Sequence, residues 1–260
     1  MVAQGAPVTV VDYDCPEGSG AWVQSAFPDV TVVQVKDDSG FSVARARNIG
    51  ATHIQTDWIA FVDADVILPM GLLSNPAEYE LQGVFTRYVS QGHASEQNTW
   101  GTCIVEKAYF GSVGGYDETF RGWGGEDDDL YQRLKMSGLR ERQIQDAGLG
   151  AIPHTDHLRT AYYEQKDKVL SFIESRLYRE AKYFVMRFYG VNSELPLETR
   201  IAIRSKVSDC MRPWIETNCD SDFEFHLKLN QIQNLCSTHQ LSASAELKLS
   251  LPRIAKEVGA

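Results

Sequence analysis

Residues 58 to 65 read Trp-Ile-Ala-Phe-Val-Asp-Ala-Asp, a short β-rich apolar run that stops on two carboxylates. Such a run, apolar throughout and too short for a helix, predicts a strand buried inside a sheet. Val8 to Val11 and Val30 to Val35 read as further short strands, and between them Pro16, Gly18, Ser19 and Gly20 punctuate a loop leading into the segment Ala21 to Ala26. Ser42 to Ile54 has helical spacing, with Val43, Ala46, Ala51 and Ile54 apolar. Downstream, Thr102 to Val105 predicts a strand, Phe110 to Tyr116 a glycine-rich turn, and Glu126 to Met136 a helix closed by Gly138. Strands alternating with helices predict an α/β fold with an open, mostly parallel sheet flanked by helices.

The pattern changes later in the chain. From Lys166 to Tyr189 the apolar residues Val169, Leu170, Ile173, Leu177, Ala181, Phe184, Val185 and Phe188 recur at three- and four-residue steps, which predicts one long amphipathic helix. The remainder also reads as helical. The sequence therefore divides near Thr160 into an α/β region, residues 1–160, and a C-terminal helical appendage, residues 161–260.

With 260 residues, 43% hydrophobic and 23% charged, the chain has the composition of a globular protein with a sizeable core. Nothing in it approaches the ~20 consecutive apolar residues of a spanning helix, and no secretory leader is legible. The five cysteines (Cys15, Cys103, Cys210, Cys219 and Cys236) form no Cys-x-x-Cys pair and read as free thiols, so a cytoplasmic location is expected. Charge is unevenly spread. Residues 1–130 hold 6 Lys/Arg against 19 Asp/Glu, net −13, and residues 131–260 hold 19 against 16, net +3. So acidic a front half excludes a general nucleic-acid surface. An anion bound there needs a mediating cation.

Three groups of residues carry chemistry. Asp63 and Asp65 end the strand Trp58 to Val62, where open α/β sheets place ligands. Read plainly they are an acidic turn. Read for function, two carboxylates one residue apart converge on a hard divalent cation such as Mn²⁺ or Mg²⁺. The second group is Gly122-Trp123-Gly124-Gly125-Glu126-Asp127-Asp128-Asp129. One or two acids in a first helical turn complement the helix dipole, but four in a row repel one another, and crowding raises a carboxyl toward the range of a general base. Trp123 adds a flat face on which a sugar ring can rest. The third is His154 and His157, imidazoles that could complete a cation site begun by Asp65.

In this order, Asp63-Ala64-Asp65, Gly114-Gly115-Tyr116-Asp117, the Trp123 to Asp127 segment and a later histidine resemble the nucleotide-sugar glycosyltransferases of GT-A fold. The closest likeness is to the inverting animal β-galactosyltransferases with their Trp-Gly-Gly-Glu-Asp-Asp-Asp segment, over about residues 8 to 160. The resemblance implies a metal-dependent, inverting transfer of Gal, GalNAc, GlcNAc or Glc from a UDP-sugar to a hydroxyl of a glycan or other acceptor. It further implies Asp63, Asp65 and His154 or His157 on Mn²⁺ (or Mg²⁺), and Asp127 as catalytic base. Trp123, Gly124, Glu126 and Asp128 would serve the acceptor. Phe41 and Asn48 fall in step with the family's uridine segment. Arg45 and Arg47 resemble a paired-Arg feature of related N-acetylgalactosaminyltransferases, and Asp12 the aspartate that contacts uracil.

Two departures stand out. The family's opening strand is expected to be missing, since only seven residues precede Val8, and Val43 stands where the galactosyltransferases usually carry arginine. The alternatives are a catalytically silent carbohydrate-binding module and a sugar nucleotidylyltransferase; the latter wants a basic glycine-rich loop, and Gly18 to Gly20 carries no Lys or Arg. The Lys166 to Tyr189 helix has two readings, a cover over the sheet domain or a basic amphipathic face for peripheral membrane contact.

Overall fold

The protein is described by a computed structural model over residues 4–36, 38, 40–89, 99–145, 147–153, 155–192, 194–228 and 245–254. The chain forms two units, Met1–Lys168 and Val169–Ala260.

In the first unit, β1 (Thr9–Asp12) leads through α1 (Ser19–Ala26) to β2 (Thr31–Gln34), and β1 and β2 pair in parallel. Gly20 is required at the start of α1, because a Cβ there would lie 2.2 Å from Asp12 Oδ2. Next comes α2 (Val43–Thr52), capped by the Ser42 side chain, which accepts a hydrogen bond from the Arg45 N–H at 3.3 Å. It leads to β3 (Trp58–Phe61) and the two-residue β4 (Val66–Ile67). Then follow β5 (Val84–Val89), β6 (Cys103–Glu106), α3 (Lys107–Ser112), α4 (Glu126–Met136), β7 (Arg140–Gln145), β8 (Gly150–Ala151) and α5 (Asp156–Thr160).

The sheet is mixed, which corrects the expectation of mostly parallel strands. β3, β6, β5 and β7 lie in that order; β6 runs antiparallel to both β3 and β5, and only β5 and β7 pair in parallel. The short β4 pairs antiparallel with β8. An antiparallel neighbour needs no crossover helix, so β6 carries no α-helix between itself and β5 among the described residues.

The core lies where α2 and α4 cover this sheet. Ala44, Ile59, Phe85, Val105, Leu130 and Leu134 are buried together, and the Phe85 and Tyr131 rings stack at 5.8 Å. Inside it, the Asp129 carboxylate and the Arg133 guanidinium, one helical turn apart and fully buried, pair at 2.8 Å, and Arg133 Nη1 donates to the Val113 carbonyl at 2.5 Å. The acids opening α4 and the Arg133 and Lys135 side chains in its last turn match the helix dipole at both ends.

The second unit holds two long helices, α6 (Lys168–Tyr189, starting at the unit boundary) and α7 (Leu197–Glu216). It is not helical throughout. Beyond α7, β9 (Phe223–Lys228) and β10 (Glu246–Leu251) pair antiparallel, and β9 alternates buried Phe223, Phe225 and Leu227 with exposed Glu224, His226 and Lys228, the period of a strand. Lys182, one of the basic residues of α6, is fully buried and pairs with Glu194 at 3.0 Å. Among the described residues no helix is long and apolar enough to cross a membrane.

Candidate active site

The carboxyl end of β3 and the first turn of α4 meet through one side chain from α2. Arg47 places Nη2 2.6 Å from Asp63 Oδ1 and Nη1 2.7 Å from Asp127 Oδ1, with Glu126 Oε1 at 3.6 Å from the same nitrogen. Its guanidinium lies over the Tyr116 ring, 4.9 Å from the centroid. Burial opposes the charge of Arg47, but the carboxylates of Asp127, Asp63 and Glu126 more than offset it, so the guanidinium is held firmly protonated. Close approach depends on Gly101. A Cβ there would sit 2.5 Å from Arg47 Nη2 and 2.7 Å from Asp63 Oδ2.

Asp127 accepts on Oδ1 from both Arg47 and the Tyr116 hydroxyl, the latter at 3.3 Å. Burial pushes its carboxyl above the usual carboxylate range, Arg47 pulls it back, and the charges of Asp63 and Asp128 add to the rise. Glu126 is pushed up to about 8, first by burial and then by the Asp127 charge. Its Oε2 is buried without a hydrogen-bond partner among the described residues. Asp128 accepts from the Trp100 indole at 2.9 Å, so the neighbouring acids of this turn have different partners.

A second cluster also draws on α2, through Arg45 and Asn48. Asn48 donates to the Tyr116 carbonyl and to Glu118 Oε1, both at 2.9 Å, and its Oδ1 accepts from the Tyr116 N–H at 2.8 Å. Arg45 pairs with Glu118 at 3.2 Å and Asp38 at 2.8 Å, and Asp38 also accepts from the Tyr13 hydroxyl. Phe41 sits between the Tyr13 and Tyr163 rings, with centroids at 5.5 and 5.4 Å. Asp12, at the end of β1, accepts the Cys15 N–H on Oδ1 and the Gly20 N–H on Oδ2, which fixes the turn into α1. The Trp123 ring lies under the Lys168 ammonium at 4.6 Å, and Gly124 adopts φ 85°, a conformation that favours glycine, just before α4.

The candidate cation ligands are less closely gathered. Asp63 and Asp65 flank Ala64 at the end of β3, and the Asp65 carbonyl accepts the Ile152 N–H at 2.8 Å. His157 is exposed on α5, and His154 lies outside the described residues. Asp63, Asp65 and His157 do not bring three ligand atoms within 4.8 Å of one another among the described residues. Hard oxygen donors nevertheless suit a hard cation, and Arg47 bonds only to Oδ1 of Asp63. Sequence reasoning assigned no role to Tyr116, Glu118, Trp100 or Gly101; only Tyr116 carried a signal, within the Gly114 to Asp117 motif.

Two family models match the region that holds this geometry. The N-terminal domain of galactosyltransferase matches residues 84–159, and glycosyl transferase family 2 matches residues 8–107. Between them the two models span residues 8 to 159, and over that stretch the chain is similar to glycosyltransferases, with the galactosyltransferase likeness at residues 84–159. Mouse chondroitin sulfate synthase 3 is 26% identical over 161 residues, covering 52% of this chain and 18% of that protein. Drosophila melanogaster β-1,4-galactosyltransferase 7 is 22% identical over 204 residues, covering 72% of this chain and 62% of that one. The chain thus spans less than two thirds of the length of either relative. A solved structure of the catalytic domain of Drosophila β1,4-galactosyltransferase 7 with xylobiose aligns at a TM-score of 0.45 and 23% identity, covering 62% of this chain and 75% of that one.

Proposed function

We propose that this glycosyltransferase domain is a metal-dependent, inverting enzyme that moves Gal, GalNAc, GlcNAc or Glc from a UDP-sugar to a hydroxyl of a glycan or other acceptor. The observation that carries the reading is the Arg47 link between Asp63, at the end of β3, and Asp127, in the first turn of α4. It holds a candidate donor-side carboxylate and a candidate base against one cation.

Arg47 and Tyr116 both engage Oδ1 of Asp127, and Oδ2 takes neither contact. Oδ2 would accept the proton of the acceptor hydroxyl as that oxygen attacks the anomeric carbon opposite the diphosphate; a single displacement inverts the centre. Asp63 and Asp65, with His154 or His157, would hold Mn²⁺ or Mg²⁺, which when bound neutralises charge on the leaving diphosphate. The aromatic slot of Tyr13, Phe41 and Tyr163 suits a flat base such as uracil. Trp123, Gly124, Glu126 and Asp128 would line the acceptor side. A silent binding module has no use for a carboxyl raised by burial beside a buried arginine. The appendage exposes Val169, Phe172 and Phe188 on α6 beside exposed Arg176 and Arg187, which supports peripheral contact with anionic membrane, tested by sedimentation with anionic liposomes at low salt.

Measuring UDP release over a panel of UDP-sugars with Mn²⁺, with and without glycan acceptors, tests the reading. Acceptor-stimulated release from one UDP-hexose is expected. Absence of release from every donor would favour the silent module.

A further inference from the structure

Arg87 lies in β5 with 4% of its surface exposed, and its Nε and Nη2 are buried without a hydrogen-bond partner among the described residues. A guanidinium so placed opposes folding, and an apolar side chain of similar volume would be better tolerated there. Its contacts show a different use. Nη1 reaches Glu141 Oε1 at 2.8 Å, and the central carbon lies over both the Trp100 and Tyr131 rings, 4.1 Å from each centroid. Burial works against the charge of Glu141, yet hydrogen bonds from Gln143, Arg87 and Lys135 hold its carboxyl below the usual range, so the anchor of Arg87 is ionised. Tyr131 is fixed in turn by stacking on Phe85, and its hydroxyl donates to the Trp100 carbonyl at 2.9 Å. Trp100 is thus held by its ring and by its backbone. Its indole N–H is directed at Asp128 Oδ1, 2.9 Å away, one residue beyond the candidate base. The next residue in the chain, Gly101, packs against Arg47 and Asp63.

We propose that Trp100 is a positioning residue for the acceptor, with Arg87 as its clamp: the indole N–H fixes the Asp128 carboxylate in the orientation that meets an acceptor hydroxyl. The inference rests on the reading of Asp128 as an acceptor-side residue and adds what aims it. An aspartate in the first turn of a helix can swing its carboxylate between rotamers, and a hydrogen bond from a donor that is itself immobile selects one of them. With the rotamer fixed before the acceptor arrives, less ordering remains on binding, so the gain falls on acceptor affinity. The donor side, where Arg47 engages Asp63, should register little. A guanidinium suits the clamp because it stacks on two rings while it pairs with Glu141; the compact ammonium of lysine offers no such plane.

Trp100→Phe keeps a ring on Arg87 and removes the N–H, and Asp128→Ala removes the carboxylate. These variants and the double variant, each as the full chain, are assayed with UDP-galactose, Mn²⁺ and the p-nitrophenyl β-glycosides of xylose, glucose and N-acetylglucosamine as acceptors. Trp100→Phe should raise the acceptor KM about tenfold, the size of one hydrogen bond to a charged group, with kcat and donor KM within about twofold of the wild type. Asp128→Ala should raise it at least as much, and the double variant should match Asp128→Ala alone. Additive effects, or equal losses in kcat and both KM values, would show a merely structural tryptophan and overturn the proposal. An acceptor KM unchanged in Asp128→Ala would overturn the reading of Asp128 itself; one unchanged only in Trp100→Phe would overturn the positioning role alone. A readout free of turnover runs beside it. In protein labelled with ¹⁵N-tryptophan, the Trp100 indole signal, identified by its loss in Trp100→Phe, should shift in Asp128→Ala and exchange faster with water in Arg87→Lys. A signal indifferent to Asp128→Ala, or exchanging no faster in Arg87→Lys, would overturn the proposal whichever sugar serves as acceptor.

Discussion

Arg47 Nη1 and Asp127 Oδ1 lie 2.7 Å apart, a buried pair that joins the middle of α2 to the first turn of α4. The same guanidinium reaches Asp63, so a single positive charge balances carboxylates from two separate motifs. That arrangement lets Asp63, Glu126 and Asp127 crowd around one largely buried cation.

Removing this charge should be costly. Arg47→Ala leaves Asp63, Glu126 and Asp127 without their shared partner, and breaking a buried pair in this way costs ~3–5 kcal/mol. Chemical denaturation should show a loss of that order, with Arg47→Lys intermediate because an ammonium cannot span two carboxylates in fork geometry. Mn²⁺ should restore part of the melting temperature of Arg47→Ala, since it neutralises Asp63.

Glu126 makes stability depend on pH. Its carboxyl stands near 4.5 in an unfolded chain and at about 8 in the folded one. Below 4.5 it is protonated in both states; between 4.5 and about 8 the folded chain retains a proton that the unfolded chain releases, so its contribution to stability falls as pH rises through that window. Glu126→Gln should flatten this slope, and thermal melts of the two proteins should diverge in favour of the variant toward the alkaline end. Parallel curves would show that Glu126 is ionised in the folded protein.

Tyr116 supports the ionised form of Asp127 through its hydroxyl. Tyr116→Phe should therefore raise the Asp127 pKa and move the acid limb of the kcat/KM profile to higher pH, with the alkaline limb unchanged. A uniform drop at every pH would mean that the ring, and not the hydroxyl, matters.

Much of the α/β domain was legible because its strands are short, apolar and closed by turn residues; Trp58 to Asp65 and Glu126 to Met136 fall where the structure has β3 and α4. What escaped was sequence whose structure depends on distant partners. β5 hides a strand behind Thr86 and Arg87, and Arg87 is tolerated because its guanidinium stacks 4.1 Å from both Trp100 and Tyr131 and pairs with Glu141. β7, Arg-Glu-Arg-Gln-Ile-Gln, has no apolar pattern and is held by its backbone ladder to β5. The sequence alone offers Arg47 as a contact for the nucleotide, since nothing local shows that residues 63 and 127 converge on it. β9 departs from the helical expectation, although its alternation is local and plain.

The proposed metal dependence rests on Asp63 and Asp65. Asp65→Ala should abolish Mn²⁺-dependent UDP binding in titration calorimetry. Wild-type affinity in the presence of Mn²⁺ would remove this residue from the cation site.

The base assignment is tested most directly by turnover of Asp127→Asn beside Asp128→Asn, with UDP binding measured on both. Asp127→Asn should bind UDP and Mn²⁺ as the wild type does while turnover falls by a factor on the order of 10² to 10⁴, as loss of a positioned base predicts. Asp128→Asn should remain active with weakened acceptor affinity. An active Asp127→Asn, or a dead Asp128→Asn beside it, would contradict the account.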